Sequence, residues 1–131
     1  MSKNQLSCVF ILFVGGMLAD LLLIEHFESA WQLVPVLFLA VAMLTFLCLK
    51  KWPALTGFFR AWMYLGMVSG IVGLFLHARN NWEFAVELYA NLGGWPLLIE
   101  VATGAIPVIS PGFLIPIAWF GLILSRLNQT Q

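Results

Sequence analysis

The run from Gly57 to His77 constrains this chain more than any other stretch. GFFRAWMYLGMVSGIVGLFLH carries one charged side chain, Arg60, and at about 1.5 Å per residue it can cross roughly 30 Å of hydrocarbon. It is predicted as a transmembrane helix. Gly66, Ser69, Gly70 and Gly73 recur along one side of it and leave a strip without bulk. In lipid such a strip lets another backbone approach closely, so it is expected to face protein and to set this helix at the centre of a bundle.

Three further spans follow from the same reasoning, and the fold expected is an all-α membrane protein with four transmembrane helices at about 6–24, 31–49, 57–77 and 107–127. A composition of 62% hydrophobic and 9% charged residues leaves too little polar surface to cover a water-soluble globule of this length. Leu6 to Ile24 is longer than a signal-peptide core, is interrupted by Asp20 and lacks a small-residue cleavage site, so it is expected to be retained. Ser29 and Gln32 have the capping-box spacing, which starts the second span there. Pro35 removes one backbone hydrogen bond early in that span, and Lys50 and Lys51 close it. Pro111, Gly112 and Pro116 disturb the outer half of the last span, a pattern that can line a ligand site when neighbours re-satisfy the backbone.

The charges segregate along the chain. Lys3, Lys50, Lys51, Arg60 and Arg126 fall in the N-terminal tail, the second connection or the C-terminal end, with Arg79 elsewhere, while the six acids lie on or near the opposite side. The positive-inside bias then puts both termini and residues 50–56 in the cytoplasm, and residues 78–106 outside. Cys8 and Cys48 fall at similar depth near the cytoplasmic ends and read as reduced, packed thiols. There is no basic patch for nucleic acid, no nucleophile motif and no phosphate loop.

Residues 78–106 are expected to form short interfacial helices. Asn80 or Asn81 would cap one over Trp82 to Ala90, Gly93-Gly94 would break it, and Pro96 would open a second over Leu97 to Thr103, ended by Gly104. Trp82 and Trp95 would sit at headgroup depth, and a re-entrant arrangement of 96–106 is the alternative.

Candidate functional residues gather at the outer side. Asp20 lies inside the first span, about 6 Å below its outer end, where a carboxylate is costly against lipid; it is expected to face the bundle interior or a wet cavity, as a proton or cation relay or as a capped structural group. His26 and His77 end two spans at matched depth and could hold a haem b; with Glu25, Glu83 and Glu87 they could hold a divalent metal. The plainer reading, with no cofactor, is preferred because neighbouring acids repel and the spacing imposes neither tetrahedral nor axial geometry.

The run Glu25-His26-Phe27-Glu28 with Trp31-Gln32, then Leu76-His77 with Asn81, Glu83-Phe84 and Glu87, then Thr103-Gly104 and Pro111-Gly112, resembles small bacterial inner-membrane proteins with four spans. That resemblance implies a bacterial inner-membrane setting and no particular activity. The function expected is that of a non-enzymatic subunit or accessory factor, in the lipid bilayer, assembling with other membrane subunits or with itself. A metal- or haem-binding protein using the outer histidines and acids, and a small transporter or channel component using Asp20, are the rival readings.

Overall fold

The computed structural model describes residues 2–89 and 91–127. The chain there is helical: α1 Lys3–Leu23, α2 Ala30–Cys48, α3 Thr56–Leu88, α4 Gly94–Thr103 and α5 Leu114–Leu127, with 3-10 turns at Pro53–Leu55 and Ser110–Phe113. Four stretches, Lys3–Leu23, Ala30–Cys48, Pro53–Leu88 and Ser110–Leu127, are long and apolar enough to cross a membrane. They make this an integral membrane protein by length and composition.

Local chemistry fixes both ends of α1 and the start of α2. α1 opens on a capping box in which the Gln5 amide donates to Ser2 Oγ (3.3 Å) and the Ser2 amide to Gln5 Oε1 (2.7 Å). α2 opens on the same device, with the Gln32 amide donating to Ser29 Oγ (3.3 Å) and the Ser29 amide to Gln32 Oε1 (2.9 Å). α1 ends in a Schellman motif: the His26 amide donates to the Leu21 carbonyl (2.8 Å) and the Glu25 amide to that of Leu22 (3.2 Å). The turn places Glu25 at φ 54°, a left-handed conformation that glycine normally takes.

The third helix departs from expectation. No break occurs at residues 78–81, and α3 runs on to Leu88, so the separate helix over 82–90 does not exist; Ala90 itself lies outside the described residues. Asn81 does not cap. It sits inside the helix, towards its C-terminal end, 3% exposed, with its side chain committed to tertiary hydrogen bonds. An Arg79–Glu83 pair (2.8 Å), one turn apart, spans the same region. Of the two short helices expected, only α4 forms, with Gly93 as its N-cap and Gly104 at its end. At 33 residues α3 is about 50 Å long, well beyond the hydrocarbon thickness.

The last span is a composite. α5 alone has 14 residues, about 21 Å, and needs the 3-10 turn at Ser110–Phe113 to reach about 29 Å. That turn nests in the small-residue strip of α3. A Cβ built on Gly73 would lie 2.5 Å from Pro111 Cβ, and one on Gly70 would lie 2.9 Å from Ile115 Cγ1. Gly66 faces another neighbour, since its Cβ would sit 2.1 Å from Cζ of Phe38 in α2. The glycines thus set how closely two different helices approach α3.

The helices pack in a ring: α1 on α2, α2 on α3, α3 on α5 and α5 back on α1. Phe10 is its hub, with ring centroids 4.7 Å from Phe46, 6.2 Å from Phe59 and 6.0 Å from Phe120. Each long helix therefore donates one ring, and the start of α1 and the end of α5 share one end of the bundle. Because lipid tails are as apolar as these side chains, the gain comes from close packing rather than escape from water. Near that end Arg60 Nε donates to Ser125 Oγ (2.9 Å), and Ser125 Oγ donates to the Leu122 carbonyl (2.7 Å). Trp62 Nε1 donates to the Phe38 carbonyl (3.0 Å), tying α3 to α2.

Candidate functional site

At the opposite end, helix geometry sorts the polar residues. Met63, Gly66, Gly70, Gly73, His77, Asn81 and Ala85 form one inward stripe on α3, buried or half-buried throughout, while Ser69 beside it is half-buried. Asn81 Nδ2 donates to the carbonyls of Val101 (2.9 Å) and Ile106 (2.8 Å), and its Oδ1 accepts from the Ile106 amide (3.1 Å). These three bonds satisfy the end of α4 and the chain after it, where no helix supplies partners. Gly104 lies under the same amide: a Cβ there would meet the Glu100 carbonyl at 2.7 Å and Asn81 Cγ at 3.1 Å.

His77 Nδ1 lies 2.9 Å from the Pro107 carbonyl. A carbonyl only accepts, so Nδ1 is the donor in this contact. His26, half-buried in the α1–α2 turn, lies within electrostatic reach of His77. Burial first, and then the neighbouring His77, lower the His26 imidazole below its ordinary value.

The structure brings the two histidines into one neighbourhood but leaves the carboxylates apart. Because α3 continues as a helix at about 100° per residue, Glu83 lies about 240° round from His77 and Glu87 about 280°. Glu83 instead pairs with Arg79, both side chains more than half exposed, and Glu87 and Glu25 are exposed. Among the described residues no three His, Cys, Asp or Glu side chains converge as metal ligands.

Asp20 lies on the surface of the bundle rather than in its core. It lines one end of a groove of about 640 Å³ between α1 and the broken start of α5, together with Ser110. The walls below are Leu12, Phe13 and Gly16 on one side and Phe113, Pro116 and Phe120 on the other. The chain matches no family model, no curated protein and no solved structure.

Two features escape a reading of the sequence: the tertiary role of Asn81 and the groove that joins Ser110 to Asp20. The first had a signal, since Gly66, Gly70, Gly73, His77 and Asn81 are spaced by three or four residues and share a helical face. The second had only the Pro111-Gly112 break as a hint.

Proposed function

We propose that this protein is a non-enzymatic subunit or accessory factor of a membrane complex, with both termini and the Lys50–Lys51 connection in the cytoplasm and a bacterial inner membrane as its setting. The observation that carries the reading is the outward face of α3. Leu65, Val68, Val72, Phe75, Trp82 and Val86, with Arg79 between them, alternate at spacings of three and four and are all exposed. This is the register at which a second helix packs with left-handed crossing. It continues past the length a bilayer needs, so Trp82 and Val86 belong to the part of α3 for which hydrocarbon is least available as cover. The partner is another membrane subunit or a second copy.

The bundle interior supports the same reading over a transporter. Its buried polar residues, Thr56, Asn81 and Ser125, are each hydrogen-bonded within the fold, and the rest of the core is apolar. A conduction path needs polar groups arrayed through the span. The haem or metal reading keeps His26 and His77 as its only neighbouring pair, and an absorption spectrum with elemental analysis of the parent and of the His26→Ala, His77→Ala double variant tests it directly.

Photo-crosslinking groups placed at Leu65, Val72 and Val86 are expected to capture one stoichiometric partner or a second copy in native membranes, with inward Ala118 as the silent control. A clean monomer in mild detergent, with no adduct from the three outward positions, would sink the proposal. Reporter fusions after Lys51 and Gly93 test the orientation, with cytoplasmic and outer signals expected in that order.

A further inference from the structure

The groove between α1 and α5 has apolar walls and polar groups at one end. Leu12, Phe13, Gly16 and Asp20 lie on one face of α1, and Ser110, Phe113 and Phe120 line the opposite wall. α1 and α5 run antiparallel, so Asp20 and Ser110 share the outer end while Phe120, packed on Phe10 at 6.0 Å, closes the inner one. Polarity therefore falls along the bilayer normal, as it does along a phospholipid. The groove opens where Leu12, Phe13 and Phe113 are exposed, on a surface that a membrane covers with lipid. Gly16 keeps it open, since a Cβ there would meet nothing within 4 Å.

The charge identifies the head group. Among the described residues the Asp20 carboxylate makes no ion pair and no side-chain hydrogen bond, and a carboxylate at this depth is retained where a partner or water meets it. Asp20 is the only ionisable group in the lining, so an anionic head is repelled. A primary ammonium can give it charge-assisted N–H···O bonds, which a trimethylammonium cannot. A volume near 640 Å³ falls in the ~300–1,000 Å³ range of small-ligand sites.

We propose that this groove binds an aminophospholipid, with one acyl chain lying between α1 and α5 down to the Phe10–Phe120 pair and the ammonium of the head group on Asp20. Ser110 stands beside it as a hydroxyl donor for the phosphate. The site is independent of the outward face of α3, so either proposal can fail alone.

Native mass spectrometry of the full chain tests this, in a non-ionic detergent with equimolar phosphatidylethanolamine, phosphatidylcholine and phosphatidylglycerol added. The ethanolamine lipid is expected to be retained over the other two by about tenfold, the scale of one charge-assisted hydrogen bond. Asp20→Asn should bring it down to the level of the choline lipid. Gly16→Leu, which adds bulk to the groove at a position where a Cβ meets nothing within 4 Å, should remove all three, with circular dichroism unchanged in both variants. Equal retention of the three lipids by the parent, undiminished ethanolamine-lipid binding in Asp20→Asn, or lipid still held by Gly16→Leu would each overturn the proposal. Loss of a co-purifying protein in Asp20→Asn with lipid retention unchanged would overturn it too, assigning the groove to a partner helix.

Discussion

The two ends of this bundle are held by different physics. At the end shared by the start of α1 and the close of α5, three rings meet around Phe10, and Arg60 reaches Ser125. At the other end the chain between α4 and the 3-10 turn is irregular and, with the end of α4, is stitched to α3 by Asn81 and His77. Regular helices satisfy their own backbones and need only shape to associate, whereas broken backbone must find donors and acceptors elsewhere. The Asn81 and His77 bonds therefore fall where the helices stop being regular.

Four substitutions or conditions would break or sharpen that contrast. The largest effect is expected from Phe10→Ala, which removes the ring common to all three aromatic contacts; a loss of about 3–5 kcal/mol follows from large-to-small changes at such sites. Unfolding in detergent followed by tryptophan fluorescence would measure it. Next comes Asn81→Leu, which keeps similar bulk but strands the Val101 and Ile106 groups, at a cost of about 2–3 kcal/mol. Hydrogen exchange should then rise over residues 101–107 and stay unchanged around Phe46 and Phe59; a uniform rise would mean that the ends are not separable.

Smaller changes probe the α1–α2 turn. Glu25→Gly should stabilise by up to about 1 kcal/mol, because the left-handed φ of 54° carries no penalty for glycine; no gain in melting temperature would show that the glutamate side chain offsets the strain. His26 supplies the smallest effect and fixes its sign. Its folded value is lowered from 6.5 by burial and by His77, so the folded state resists protonation. Stability is then highest above about pH 6.5 and declines as pH falls through the lowered value. His26→Gln should flatten that decline in melting experiments across the same window.

How much could be read from the residues follows the same division. Apolar run length locates the four spans, and the Ser29–Gln32 spacing locates a helix start, because both signals are local and complete within a few turns. The rim resisted reading because Asn81 satisfies the local rule for an N-cap, while its partners at Val101 and Ile106 lie 20 and 25 residues away. Tertiary hydrogen bonds outweighed the cap preference, and the helix ran through. Asp20 stood out as a charge within an apolar run, but its surroundings depend on where Pro111 and Pro116 set the start of α5. That placement is decided by the glycines of α3, not by any pattern near Asp20.

The nesting of Pro111 against Gly70 and Gly73 also sets an order of assembly. During synthesis α3 emerges with its close-packing strip bare, and the residues that cover it follow some forty positions later, roughly two to eight seconds at ordinary elongation rates. For that interval the narrowest face of the molecule is open to any neighbouring helix with a small-residue surface. The hairpin of α1 and α2 can shield Gly66 through Phe38, but Gly70 and Gly73 wait for the last span. Correct partnering of this chain is therefore a race between its own final helix and whatever else is being inserted beside it.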